Sequence, residues 1–210
     1  MSQNSLDLSV SNLLPLLKAT IQTPRDVARS LVAVGMGQEA LWTALYLVTT
    51  VGIVLGQLQA FFLLQAVPAE GPYMLLLSNP IVRAGFWWLT VFVMVQAIFR
   101  MGNVMGGTGT LEGSLAVTTW LAVVVVTFQV LQTLALFILP WIAQLITLVS
   151  ILLVIWVYTN FVAELHGFDN LVMVLIGSIV AGLSLMFALS LVLSLVMTSL
   201  GMTPEDLVGV

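Results

Sequence analysis

The side chains best suited to chemistry gather in two short stretches. One reads Glu164-Leu165-His166-Gly167-Phe168-Asp169 and holds the only histidine. Carboxylates and imidazole are donors that zinc accepts, but three such groups in so short a run need partners from elsewhere to close a tetrahedral site. The spacing fits a helix C-terminus better, with Gly167 as the left-handed stop and His166 at the negative end of the helix dipole. The other stretch reads Gly106-Gly107-Thr108-Gly109-Thr110. Glycine amides can cradle a phosphate, yet no lysine follows them and no strand precedes them, so this is no nucleotide loop. Weak contact with an anion or a lipid headgroup is the chemistry left to it, and Thr110 or Gly109 is placed to cap a helix starting at Leu111-Glu112.

No order of Ser, His and Asp or of Cys and His assembles, and a lone histidine leaves little room for acid–base catalysis. The chain has no cysteine, so disulfides and thiolate metal sites are excluded. No basic stripe points to nucleic acid. The expectation is a protein that is not an enzyme and needs no cofactor or metal. Gln129 and Gln132 lie about one turn apart near the middle of an apolar run. Neither titrates, so hydrogen bonding between helices suits them better than an ion path. A channel, transporter or lipid-moving protein would need a path along Gln57, Gln96, Gln129 and Gln132. An accessory subunit of a larger membrane complex is a third class.

The elements that position these residues follow from composition. Of 210 residues, 60% are hydrophobic and 7% charged, against about 45–50% and 25% in soluble domains. Such a chain cannot clothe a globular surface and must have lipid as its main solvent. Five apolar segments, 40–64, 80–99, 114–139, 142–162 and 171–200, each exceed the roughly 18 residues of a crossing. Pro140-Trp141 must be a turn, because a straight helix over 114–162 would be about twice the roughly 30 Å apolar thickness. The fold expected is all-α: a five-helix transmembrane bundle over 40–200, an amphipathic region over 1–39 and a short tail over 201–210. Gly52/Gly56 and Ser178/Gly182, each at i and i+4, offer close helix packing, within the bundle or between copies.

No basic n-region opens the chain and Asp7 interrupts the early leucines, so no cleaved signal is expected. Over 23–35, Thr23 is placed as N-cap with Pro24 at the first helical position. Asp26 completes a shortened capping box, and Gly35 is the stop. Val27, Leu31 and Val34 share one face while Arg25 and Arg29 share another, which predicts a helix lying in the headgroups. Putting the N-terminus in the cytoplasm leaves Lys18, Arg25, Arg29 and Arg100 inside and only Arg83 outside, with the 67–79 loop and the tail outside. Arg25, Arg29 and the two links at 101–113 and 163–170 then face the cytoplasm together. They form the expected contact surface for membrane lipids, other membrane proteins or a second copy.

Gly106, Gly107, Gly109, Thr110 and Leu111, followed by Ser114-Leu115-Ala116, resemble the Gly-Gly-x-Gly-[Ser/Thr] link of the Yip1 family. The run Asn160-Phe161-Val162-Ala163-Glu164-Leu165-His166-Gly167-Phe168 and the Thr23-Pro24-Arg25-Asp26 stretch are similar to its bacterial branch. The resemblance covers about residues 20–200. It implies five spans and residence in the bacterial cytoplasmic (inner) membrane. Eukaryotic members are associated with vesicle trafficking and Rab-type GTPases, but this chain lacks their Asp-Leu-Tyr-Gly-Pro motif.

Overall fold

Prolines open helices in this chain and left-handed glycines follow them. Pro24, Pro80 and Pro140 each occupy the first helical turn, where a missing N–H costs nothing. Gly35, Gly106 and Gly167 take φ of 63°, 89° and 74° just past helix ends. The computed structural model describes residues 12–64 and 79–199. Within them run α1 (Leu13–Gln22), α2 (Pro24–Ala33), α3 (Gln38–Leu64), α4 (Pro80–Val104), α5 (Leu111–Ile138), α6 (Pro140–His166) and α7 (Leu171–Ser199). No strand occurs among the described residues. Four helices, α3 to α6, are long and apolar enough to cross a membrane. The apolar stretch Leu171–Phe187 opens α7. Residues 65–78 and 200–210, which include most of the expected outer loop and the tail, lie outside the described residues.

The core sits at one end of the bundle. Every residue of α5 from Gly113 to Leu121 is buried, and burial on all sides marks a central helix. It meets the last turns of α6, where Val157, Phe161, Val162, Ala163 and Leu165 are buried. Ile98 of α4, Val174 of α7 and Val27, Ala28 and Leu31 of α2 join the same cluster. Leu41 and Leu45 of α3 meet Val95 and Leu115 beside it. We call this the hub end. At the opposite end Leu134, Phe137, Ile138 and Trp141 are exposed; so much apolar surface is stable only against hydrocarbon.

The amphipathic region departs from expectation in two ways. Thr23 does not cap α2 with its side chain. Its hydroxyl instead donates to the Ala19 carbonyl at 3.3 Å, closing α1, and Asp26 turns to Arg29 rather than back to Thr23. The cause is that another helix ends at this point and leaves carbonyls to satisfy. The apolar face of α2 is also not presented to headgroups. Val27, Ala28 and Leu31 are 5%, 0% and 3% exposed because the helix lies across α5 and α6; Val34 falls past the helix end and stays exposed. Next to it, Trp120 Nε1 donates to Thr20 Oγ1 at 2.8 Å and ties α1 to α5.

Candidate functional site

The two stretches singled out from sequence meet at the hub end, around His166. Its helix ends in a Schellman arrangement: the Phe168 N–H reaches the Ala163 carbonyl at 2.8 Å, and the Gly167 N–H reaches that of Glu164 at 3.4 Å. This directs the imidazole inward, where the residue is 2% exposed. Its Nδ1 accepts from the Gly109 N–H at 3.2 Å, and Nε2 lies 3.0 Å from the Ile98 carbonyl. Because a carbonyl only accepts and an amide only donates, the ring carries its proton on Nε2 and is neutral. Phe168 stacks on it at 5.6 Å.

The glycines are there to admit this ring. A Cβ on Gly102 would overlap the imidazole, one on Gly107 would come within 2.5 Å of His166 Cβ and Nδ1, and one on Gly109 within 2.5 Å of Cε1. Gly106 has a different duty, since nothing crowds it and its φ of 89° is what the turn requires. The Thr108 N–H binds the His166 carbonyl at 3.3 Å. Thr110 Oγ1 accepts from the Gly113 N–H at 3.0 Å and so caps α5. The loop's amides are thereby turned onto histidine and helix ends. One interlocked knot holds α4, α5 and α6.

Over the knot lies α2. Arg29 Nε meets Glu164 Oε1 at 2.8 Å and its NH1 meets Asp26 at 3.3 Å. Arg25 donates to the Phe168 and Asp169 carbonyls, each at 3.3 Å, neutralising the carbonyl-rich end of α6. Gln38 donates to Glu112 at 2.6 Å. Arg25, Arg29, Glu164, Gly167, Phe168 and the outer part of the glycine loop therefore lie together at one surface over the buried His166, with the Arg29 and Asp26 side chains 64% and 68% exposed. No group of three or more His, Asp or Glu side chains converges on a metal position among the described residues.

The packing residues separate. Gly52 is a close approach, with Gln129 Oε1 3.1 Å from where its Cβ would stand, whereas Gly56 faces open space; its carbonyl accepts from Arg83 at 3.2 Å. The pair is not one packing face, because α4 meets that turn with a polar side chain rather than its backbone. Gln132 bonds Ser150 across α5 and α6 at 3.1 Å. Gln129 receives Gln59 on its backbone carbonyl at 3.2 Å, while its own Oε1 is buried without a partner among the described residues. Tyr158 donates to Ser178 at 3.1 Å, tying α6 to α7, and Gly182 faces open space. Gln57 turns to the Pro80 carbonyl at 3.0 Å. With Gln57, Gln129 and Gln132 on different partners and Gln96 bordering a cavity between α4 and α7, the glutamines do not form one lining.

Gly102 and the Ile98 carbonyl were not singled out from sequence. A glycine inside a helix costs about 1 kcal/mol relative to alanine, which signals a packing reason; the carbonyl left no trace. A family model described as the Yip1 domain matches residues 18–192. No curated protein and no solved structure matches the chain. That match spans most of the chain, including the glycine loop, the α6 terminus and all four long apolar helices: the protein is an integral membrane protein of the Yip1 family.

Proposed function

We propose that this chain is a non-catalytic scaffold of the bacterial cytoplasmic membrane that gathers partner membrane proteins or local lipid on its hub-end face. The observation that carries the reading is the docking of α2 by Arg29–Glu164 and by Arg25 onto the 168 and 169 carbonyls. It presents a polar edge on a rigid base, the form an interaction surface takes when binding should not cost extra ordering. In this reading α7 is a fifth crossing: its 29 residues span about 43 Å at 1.5 Å each, more than the roughly 30 Å hydrocarbon core. The N-terminus and the hub end face the cytoplasm, in keeping with Lys18, Arg25, Arg29 and Arg100 against Arg83, and the C-terminus lies outside.

Capture of partners from mild detergent tests this. Arg29→Glu alone would loosen α2, so the informative variant is the swap Arg29→Glu with Glu164→Arg, which keeps an ion pair while inverting the surface. The swap should lose the partners that the unmodified chain retains at fixed stoichiometry. An identical set of co-purifying proteins and lipids from both would refute the scaffold reading.

A further inference from the structure

Between α4 and α7 lies a groove that borders the hub at Ile98, Gly102 and Phe168 and has Tyr158 and Val162 of α6 at its base. The two helices are pinned at the hub end, where Met105 covers Gly177 so closely that a Cβ there would lie 2.5 Å from Met105 Cε. Beyond that contact they border a cavity of about 280 Å³ that reaches from Met105 to Thr90 along α4. A second cavity of about 550 Å³ adjoins it and shares Val93, Ala97, Met101, Ala181 and Leu185. The α7 wall is built mostly of small residues, and a Cβ on Gly182 would meet nothing within 4 Å among the described residues. From Arg100 down to Thr90, ten rises of 1.5 Å make about 15 Å, the depth that one leaflet contributes to a roughly 30 Å core.

Its polarity is graded. Arg100 lies near the hub end, exposed, with no hydrogen bond or ion pair to any described residue. Gln96, one turn deeper, borders the same cavity, and its amide also bonds no described residue. Deeper still the α4 wall is Phe92, Val93, Met94 and Thr90. Cation, then neutral amide, then hydrocarbon is the order met along a glycerophospholipid as phosphate, ester and acyl chain. A second helix fits less well, because close helix pairing favours small residues and the open part of the α4 wall, Ala97 apart, is Phe92, Val93, Met94 and Met101. Methionines do suit a flexible chain of irregular path.

We infer that the α4–α7 groove binds an anionic glycerophospholipid from the leaflet at the hub end, phosphate on Arg100, ester on Gln96, one acyl chain between the helices. This names a ligand for the lipid arm of the scaffold reading and rests on its membrane placement, but not on the α2 surface. The full chain is placed in phosphatidylcholine vesicles doped with phosphatidylglycerol bearing a photoactivatable acyl chain, and crosslinks are mapped by mass spectrometry. Labelling should concentrate on Met94, Met101 and Ala181 above that on Leu148 and Leu152, exposed on α6. Arg100→Gln should lower groove labelling about fivefold, the equivalent of one basic contact with an anionic lipid, and Arg100→Lys should restore most of it. Ala97→Trp should block the groove while labelling at Leu148 and Leu152 stays constant, which reports an intact bundle. Uniform labelling, or insensitivity to Arg100→Gln, would mean ordinary bilayer contact and overturn the site. So would a second chain crosslinked in place of lipid. The partner swap above leaves this groove untouched, so the two ideas fail separately.

Discussion

Replacing Gly102 with alanine adds one methyl, yet the structure places that carbon on the His166 ring. Neither neighbour yields easily, since α4 is continuous there and both ring nitrogens are committed. Overpacking of this kind costs about 1–3 kcal/mol, set against about 1 kcal/mol gained from helix propensity. Forcing the ring out also strands the buried Gly109 N–H at roughly 1–3 kcal/mol. The net loss is about 1–5 kcal/mol, equivalent to roughly 2–20 °C in apparent Tm for a chain of this size. His166→Ala alone should cost a similar amount by stranding the same amide and opening a void. The two should not add, because the methyl introduced by Gly102→Ala enters the space the imidazole leaves, with a coupling of about 1–3 kcal/mol. Thermal denaturation followed by gel filtration in mild detergent measures all three variants. Gly56→Ala, in open space on α3, is the control and should be neutral or slightly stabilising. Strictly additive losses for Gly102→Ala and His166→Ala would refute the knot as the reason for the glycine.

Trp120→Phe removes the bond to Thr20 at about 1 kcal/mol, and limited trypsin digestion should then cut faster at Lys18 while the bundle persists. Arg29→Glu should weaken α2 docking by no more than about 1 kcal/mol, given its exposure, with the Glu164→Arg partner restoring it; unchanged protease sensitivity in the single variant would show that the pair contributes nothing. Leu31→Asp, at a position 3% exposed, should release α2 altogether, with a loss of roughly 3 kcal/mol or more from a charge left in an apolar site. Because the chain has no cysteine, single cysteines report sidedness directly: one at Thr108 should label from the cytoplasm and one at Trp141 from outside. Met1 and Val210 tags appearing in one compartment would remove the five-span arrangement.

Much of the architecture was legible in the order of residues because it follows from local chemistry. Apolar runs longer than a bilayer, ended by Pro140 or by Gly167, need no knowledge of neighbours to be read as helices and stops. Thr110 as the cap of α5 was readable for the same reason. Arg29 was readable only as a surface charge, since its partner Glu164 lies 135 residues away. The glycine loop was ambiguous, because amides free to cradle an anion in isolation look identical in sequence to amides already spent. Thr23 was legible as the N-cap position of α2 but not as to its hydroxyl's partner, because the local signature does not reveal that another helix ends on the same residue.

Sequence alone therefore settled that this chain lives in lipid and that it is helical, because burial of backbone polar groups in hydrocarbon leaves no other solution. The breaks at Pro140 and Gly167 were legible too, but the link expected over 101–113 is shorter, since one helix runs on to Val104 and the next starts at Leu111. The tertiary structure decided what the special residues face. It turned His166 inward onto Gly109 and Ile98, and laid the apolar stripe of α2 on protein rather than headgroups. It also set Arg100 at the mouth of the α4–α7 groove. Those outcomes depend on contacts between segments far apart in the chain, and hydrophobic periodicity records that a face must be covered without recording what covers it.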